Sequence, residues 1–182
     1  MDESFGLKSD GLVRMEKLAE SITRQSVVLC GISGSGKTTL AKMLEHRGYH
    51  RLSVDACVRQ MYGETFMSCS AERQRELTAK AEKELADSLK MLLKEGKRVV
   101  IDGCLCKKSK RDLFRDASLA VGVNPMLVYV HAPIEDSLAR LSKRTGQSED
   151  DIPVEEEMLR RFFKGFEKPC PDEDAHVFEN PD

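Results

Sequence analysis

The stretch VVLCGISGSGKTTL, Val27 to Leu40, decides the fold. Ser26 to Cys30, with four apolar residues from Val27, reads as a buried strand that runs into glycine, and Leu40, Ala41 and Leu44 then recur at helical spacing. Between the two lies Gly31-Ile32-Ser33-Gly34-Ser35-Gly36-Lys37-Thr38, which fits G-x-x-x-x-G-K-[ST] at every position and in the strand-to-helix context that the pattern requires. The residue types explain the chemistry. Gly31, Gly34 and Gly36 let the backbone wrap closely, so that its N–H groups, with those of Ser33 and Ser35, face phosphate oxygens. The helix start adds its own donors from Lys37 to Thr39. The Lys37 ammonium reaches the β and γ phosphates, and the Thr38 hydroxyl suits magnesium. ATP and Mg²⁺ are therefore the expected cofactors.

Outward from this loop, strands and helices alternate. Leu12, Met15, Leu18, Ala19 and Ile22 have helical spacing before the first strand, and Tyr49 to Val54 reads as a second strand. Ala71 to Lys94 is a long helix with Leu77, Ala81, Leu85, Leu89 and Leu92 on one face; Gly96 ends it, and Arg98 to Asp102 is a third strand. A helix over Arg111 to Ala120, a strand over Pro125 to His131 and a helix over Ile134 to Lys143 follow. Pro153 to Phe166 opens with proline and glutamates, as a helix start should, and Ala175 to Phe178 reads as an edge strand. The alternation predicts an α/β fold in three layers, a parallel sheet with helices on both faces. Residues 1–24 are expected to be an N-terminal helical appendage and residues 25–182 one domain.

Composition narrows the function. The 182 residues suffice for one domain with a real core. A net charge of -2, no tryptophan and 5% aromatic residues lack both the basic field and the stacking surface by which single-stranded nucleic acid is held. No apolar run is long enough to span a bilayer, and the first ten residues are too polar for a secretory signal, so a cytoplasmic location is expected. The six cysteines contain no C-x-x-C pair, which argues for free thiols and against zinc.

In its ordered features the chain resembles the small P-loop kinases of the AAA-type kinase-like group, which includes chloramphenicol phosphotransferase, zeta toxins and the kinase domain of polynucleotide kinase. The phosphate loop, Asp55 after the second strand, Val99-Val100-Ile101-Asp102 with a basic stretch behind it, and Arg140 with Arg144 carry that resemblance. Cys104 to Arg115 is also similar to a stretch of gluconokinases. The resemblance implies an adenylate-kinase-like P-loop NTPase fold with a small arginine-bearing lid, and ATP-dependent phosphorylation of a hydroxyl.

Asp55 falls where the second strand should end, at the sheet edge where ligands bind, and is the candidate general base; a helix N-cap is the alternative. Arg59 lies one helical turn later, able to orient the acceptor or to point into solvent; the resembling family places its arginine one residue earlier. Asp102 suits a Walker-B-like role with magnesium, or a turn before Gly103. Arg111, in the basic run from Lys107, matches the family's substrate-side arginine. Arg140 is expected on the nucleotide and Arg144 on the transferred phosphate, both from the lid. His131 reads as a core histidine hydrogen-bonded to backbone. The expected partner besides ATP is a hydroxyl-bearing small molecule; a 5'-hydroxyl nucleic-acid end and an acceptor-free regulatory ATPase are the alternatives.

Overall fold

In the computed structural model, which describes residues 9–144 and 156–180, strand β1 (Ser26–Cys30) is buried along its whole length. Its alternating side chains feed two cores. Val27 and Leu29 pack with Leu40, Ala41 and Leu44 of helix α2 (Lys37–His46), whereas Val28 and Cys30 face the other side. There they meet Leu85, Ala86 and Leu89 of α5 (Ala71–Lys94) and Phe114 and Ala117 of α6 (Lys108–Leu119).

The sheet has five strands in the order β2-β3-β1-β4-β5, all parallel, with β2 at Tyr49–Ser53, β3 at Arg98–Asp102, β4 at Met126–His131 and β5 at His176–Glu179. This is the three-layer P-loop NTPase-like fold. In β1, Leu29 is registered with Asp102, so the phosphate loop leaves the sheet beside the carboxylate that ends β3. Helices α3 (Val54–Tyr62), α4 (Thr65–Ser68), α7 (Ile134–Arg144), α8 (Glu156–Lys164) and a 3₁₀ turn at Pro171–Glu173 complete the described chain. Among the described residues no helix is long and apolar enough to cross a membrane.

Helix α1 (Ser9–Ser21) is not an appendage. Met15, Leu18 and Ala19, with Ile22 just beyond the helix, are buried in the same core as β1 and α2, and each large apolar side chain so buried contributes roughly 1.5–3 kcal/mol. Removing the helix would open that core. Arg14 also donates to the Glu179 carbonyl at 2.8 Å, tying α1 to the far edge strand.

Arg111 does not face an acceptor. Its side chain is 2% exposed, with Nε and Nη2 on the Glu173 carboxylate at 2.6 and 2.9 Å and Nη1 on the carbonyls of Leu105 and Glu167 at 3.1 and 2.9 Å. Every direction of the guanidinium is committed to the protein, so Arg111 is an internal brace between α6, the loop after β3 and the segment after α8. Burial pushes the Glu173 carboxyl up, but the bonds from Arg111 and the Cys170 N–H outweigh it and hold the group below its ordinary 4.5. The stabilisation from Glu173 is thus complete above about pH 4.5 and is lost as the pH falls through its folded value. Arg111→Met should cost about 3–5 kcal/mol in urea unfolding at neutral pH, because a buried carboxylate is left unpaired. The difference from the parent should shrink below pH 4.5. A constant difference across that range would show that packing, not the ion pair, is what Arg111 supplies.

Candidate functional site: a phosphate loop at the carboxyl edge of the sheet

The loop from Gly31 to Thr38 has its shape dictated by what lies beneath it. Gly31 has φ 145°, and a Cβ there would collide with the Val130 carbonyl of β4. Gly34 has φ 82°, with the Ser137 carbonyl of α7 only 2.6 Å from where its Cβ would sit; Gly36 has φ 104° and the Asn180 amide at 2.7 Å. These glycines are required by positive φ and by close approach together. The floor is completed by two polar side chains. Asn180 donates from Nδ2 to the Ser35 carbonyl at 2.8 Å, and Arg140 donates to the Gly34 carbonyl at 3.2 Å and the Asn180 carbonyl at 2.9 Å.

Arg140 therefore corrects the sequence reading. It is 3% exposed and lies under the phosphate loop, not in a lid above the nucleotide. Helical spacing put it on one face of α7 correctly, but that face turns inward, toward two backbone carbonyls. The Arg144 side chain and residues 145–155, where a lid was expected, lie outside the described residues.

Above this floor, Lys37 arches across the loop, with Nζ on the Ile32 carbonyl at 2.7 Å. Thr38 Oγ1 stands 3.5 Å from Asp102 Oδ1, a pair of hard oxygens suited to magnesium. Asp102 is 4% exposed, and its other oxygen, Oδ2, accepts from Arg51 Nε at 3.0 Å and Nη2 at 2.7 Å. Arg51 neutralises a buried carboxylate while leaving one oxygen turned to Thr38. The sequence reading missed it. An arginine inside a strand calls for a counter-charge on a neighbouring strand at the same face, and the β2–β3 register, with Arg51 opposite Val100 and Ser53 opposite Asp102, supplies one.

Asp55 is an exposed residue in the first turn of α3, where a carboxylate also suits the helix dipole. It is not the N-cap. That position belongs to Ser53, whose hydroxyl accepts from the Ala56 N–H at 3.2 Å. Arg59, one turn further along α3, is half-buried and has no side-chain ion pair among the described residues.

The basic run after β3 is largely neutralised within the chain. Lys107 pairs with Glu167 at 3.1 Å, Lys108 with Asp112 at 2.9 Å and Lys110 with Glu82 at 2.6 Å. His131 does not bond to backbone as expected. Its Nδ1 meets Glu179 Oε2 at 2.6 Å across the β4–β5 pair. A hollow lined by Ile32, Tyr129, His131, Phe163 and Phe166 adjoins the loop; a larger one, beside Arg24, Arg115 and Asp172, lies away from it and mixes both signs of charge.

A family model described as an AAA domain matches residues 27–169, from the first strand past α8. The chain belongs to that family. This AAA domain is of the P-loop kinase-like type, and its solved neighbours are consistent with it. It is similar to a gluconokinase from Sinorhizobium meliloti 1021 at 20% identity and a TM-score of 0.58, covering 85% of this chain and 82% of that one. Mycobacterium tuberculosis APS kinase CysC, solved with AMPPNP and APS, aligns at 20% identity and a TM-score of 0.56 over 86% and 88% of the chains. Chaetomium thermophilum Kti12, solved with ADP-AlF3, aligns at 22% identity and a TM-score of 0.57 over 84% and 87%. At these identities the likeness is one of fold. No curated protein matches the chain.

Proposed function

We propose that this AAA domain is an ATP- and Mg²⁺-dependent phosphotransferase that moves the γ-phosphate to a hydroxyl of a small-molecule acceptor. The observation that carries the reading is the phosphate loop itself, with Lys37 Nζ held over it at 2.7 Å from the Ile32 carbonyl and Thr38 Oγ1 3.5 Å from the Asp102 carboxylate. Bound ATP would supply the phosphoryl group, and magnesium the charge that screens it. Gly31, Ser33, Gly34, Ser35, Gly36 and Thr39 would hold the phosphate chain through the loop and helix start, Lys37 would neutralise its β and γ groups, and Thr38 with Asp102 would hold the metal. Asp55 would take the proton of the attacking hydroxyl, Arg59 would orient the acceptor, and Arg144 would meet the transferred phosphate.

A 5'-hydroxyl nucleic-acid end is the weaker acceptor. Lys107, Lys108 and Lys110 would be its natural phosphate contacts, and each is already paired with a carboxylate. The test is transfer of label from γ-labelled ATP across sugar acids, nucleosides, hydroxylated antibiotics and 5'-hydroxyl oligonucleotides. Label appearing on a small molecule is the expected result. Phosphate released at one slow rate, whatever acceptor is present, would instead make the domain a nucleotide-dependent switch.

A further inference from the structure

At the edge of the sheet opposite the phosphate loop, a cavity of about 280 Å³ opens between α6 and the segments that lead into β1, β4 and β5. Val28, Met126 and Leu127 line it with apolar surface. Most of the charges around it are committed within the protein: Arg111 holds Glu173 at 2.6 and 2.9 Å, and Lys108 Nζ stands 2.9 Å from Asp112 and 3.7 Å from Asp172. Four polar lining residues are not. Among the described residues, the side chains of Arg24, Arg115, Asn124 and Asp174 make no hydrogen bond, ion pair or ring contact. None of the site roles above uses them.

These uncommitted groups are ordered by the topology. Arg24, Asn124 and Asp174 each stand two residues before the start of a strand, and those strands, β1, β4 and β5, are neighbours in that order. Adjacent strands lie ~4.8 Å apart, so the chain at Arg24 and the chain at Asp174 are separated by one whole strand. Arg115 belongs to α6, which packs Phe114 and Ala117 with Val28 of β1. Two guanidiniums therefore border the cavity on its β1 side and a carboxylate on its β5 side, with apolar surface between them.

We propose that this cavity binds a free α-amino acid with an aliphatic side chain, its carboxylate on Arg24 and Arg115 and its ammonium on Asp174. The chemistry selects both ends. Each guanidinium is a planar fork that can give a carboxylate two parallel N–H bonds, and the Asn124 amide adds a further donor. A simple anion such as phosphate satisfies that end but meets Asp172 and Asp174 at the other with like charge. An ammonium meets opposite charge there. The aliphatic side chain lies on Val28, Met126 and Leu127, where removing apolar surface from water favours binding. At about 280 Å³ the cavity is just below the ~300–1,000 Å³ of sites for drug-sized ligands, which suits a ligand as small as an amino acid.

The site stands apart from the phosphate-loop reading, since no nucleotide enters its test. The full chain would be titrated by calorimetry with L-leucine, with leucinamide, which lacks the carboxylate, and with isocaproate, which lacks the ammonium. The expected result is one leucine per chain with a Kd of about 1 mM or tighter, and both analogues weaker by about tenfold or more. Arg24→Gln and Arg115→Gln should each melt like the parent without ligand, because neither side chain has a partner to lose, and each should weaken leucine by about tenfold. Asp174→Asn should weaken leucine and leave isocaproate unchanged. No binding at about 10 mM leucine, an analogue binding as well as leucine, or leucine held equally by all three variants would each overturn the proposal. Isocaproate or inorganic phosphate binding more tightly than leucine would overturn it too, and make the cavity a site for anions.

Discussion

Lys37→Met is expected to abolish phosphate transfer while leaving the protein folded. The ammonium is the loop's one cationic side chain, and its stem is 8% exposed, so a methionine of similar length fills the same channel. Only the bond to the Ile32 carbonyl is lost, a cost of ~1 kcal/mol in stability. The transition state loses far more, because charge on the transferring group is stabilised almost wholly by placed cations. The check is single-turnover transfer beside thermal melting. A variant that melts like the parent and keeps more than about a tenth of the rate, a loss under ~1.4 kcal/mol in barrier, would remove Lys37 from the mechanism.

Asp55→Asn should separate binding from chemistry. A general base at Asp55 would act on the acceptor, so ATP affinity should hold while transfer falls by roughly 10²- to 10⁴-fold. Stability should change little, since Ser53 caps the helix and the interaction of an exposed carboxylate with the helix dipole is worth ~0.3–1 kcal/mol. Calorimetry with Mg-ATP and single-turnover transfer to the acceptor found in the panel measure the two halves. Equal transfer rates in parent and variant would return Asp55 to a structural role at the start of α3.

What could be read from sequence was what is local in sequence. Strands Ser26–Cys30 and Arg98–Asp102 and helix Ala71–Lys94 were legible to the residue, because each is an unbroken apolar or periodic run bounded by a glycine or a turn. Helix α3 is harder to read, because its nine residues start directly at the strand end behind the Ser53 cap. The loop glycines were legible for the same reason as the strands. The errors fall where partners are distant. Arg51 meets Asp102 across 51 residues, Arg111 meets Glu173 across 62, and Arg140 meets Gly34 across 106. Spacing along a helix says which residues share a face, and it is silent on whether that face meets water or a buried carboxylate.

The separation between Ser35 and Asn180 has a consequence in time. The amide that supports the phosphate loop stands 145 residues after the carbonyl it binds. At ribosomal speeds of 5–20 residues per second, the anchor is made roughly 7–30 seconds after the loop. Throughout that interval a nascent chain carries the full glycine motif and Lys37 without the floor beneath them, and Arg140 waits for the Asn180 carbonyl as well. Only a chain that has threaded β5 along β4 and delivered Asn180 to the His131 carbonyl, 2.7 Å away, closes the floor. Formation of the phosphate site thereby waits on β5.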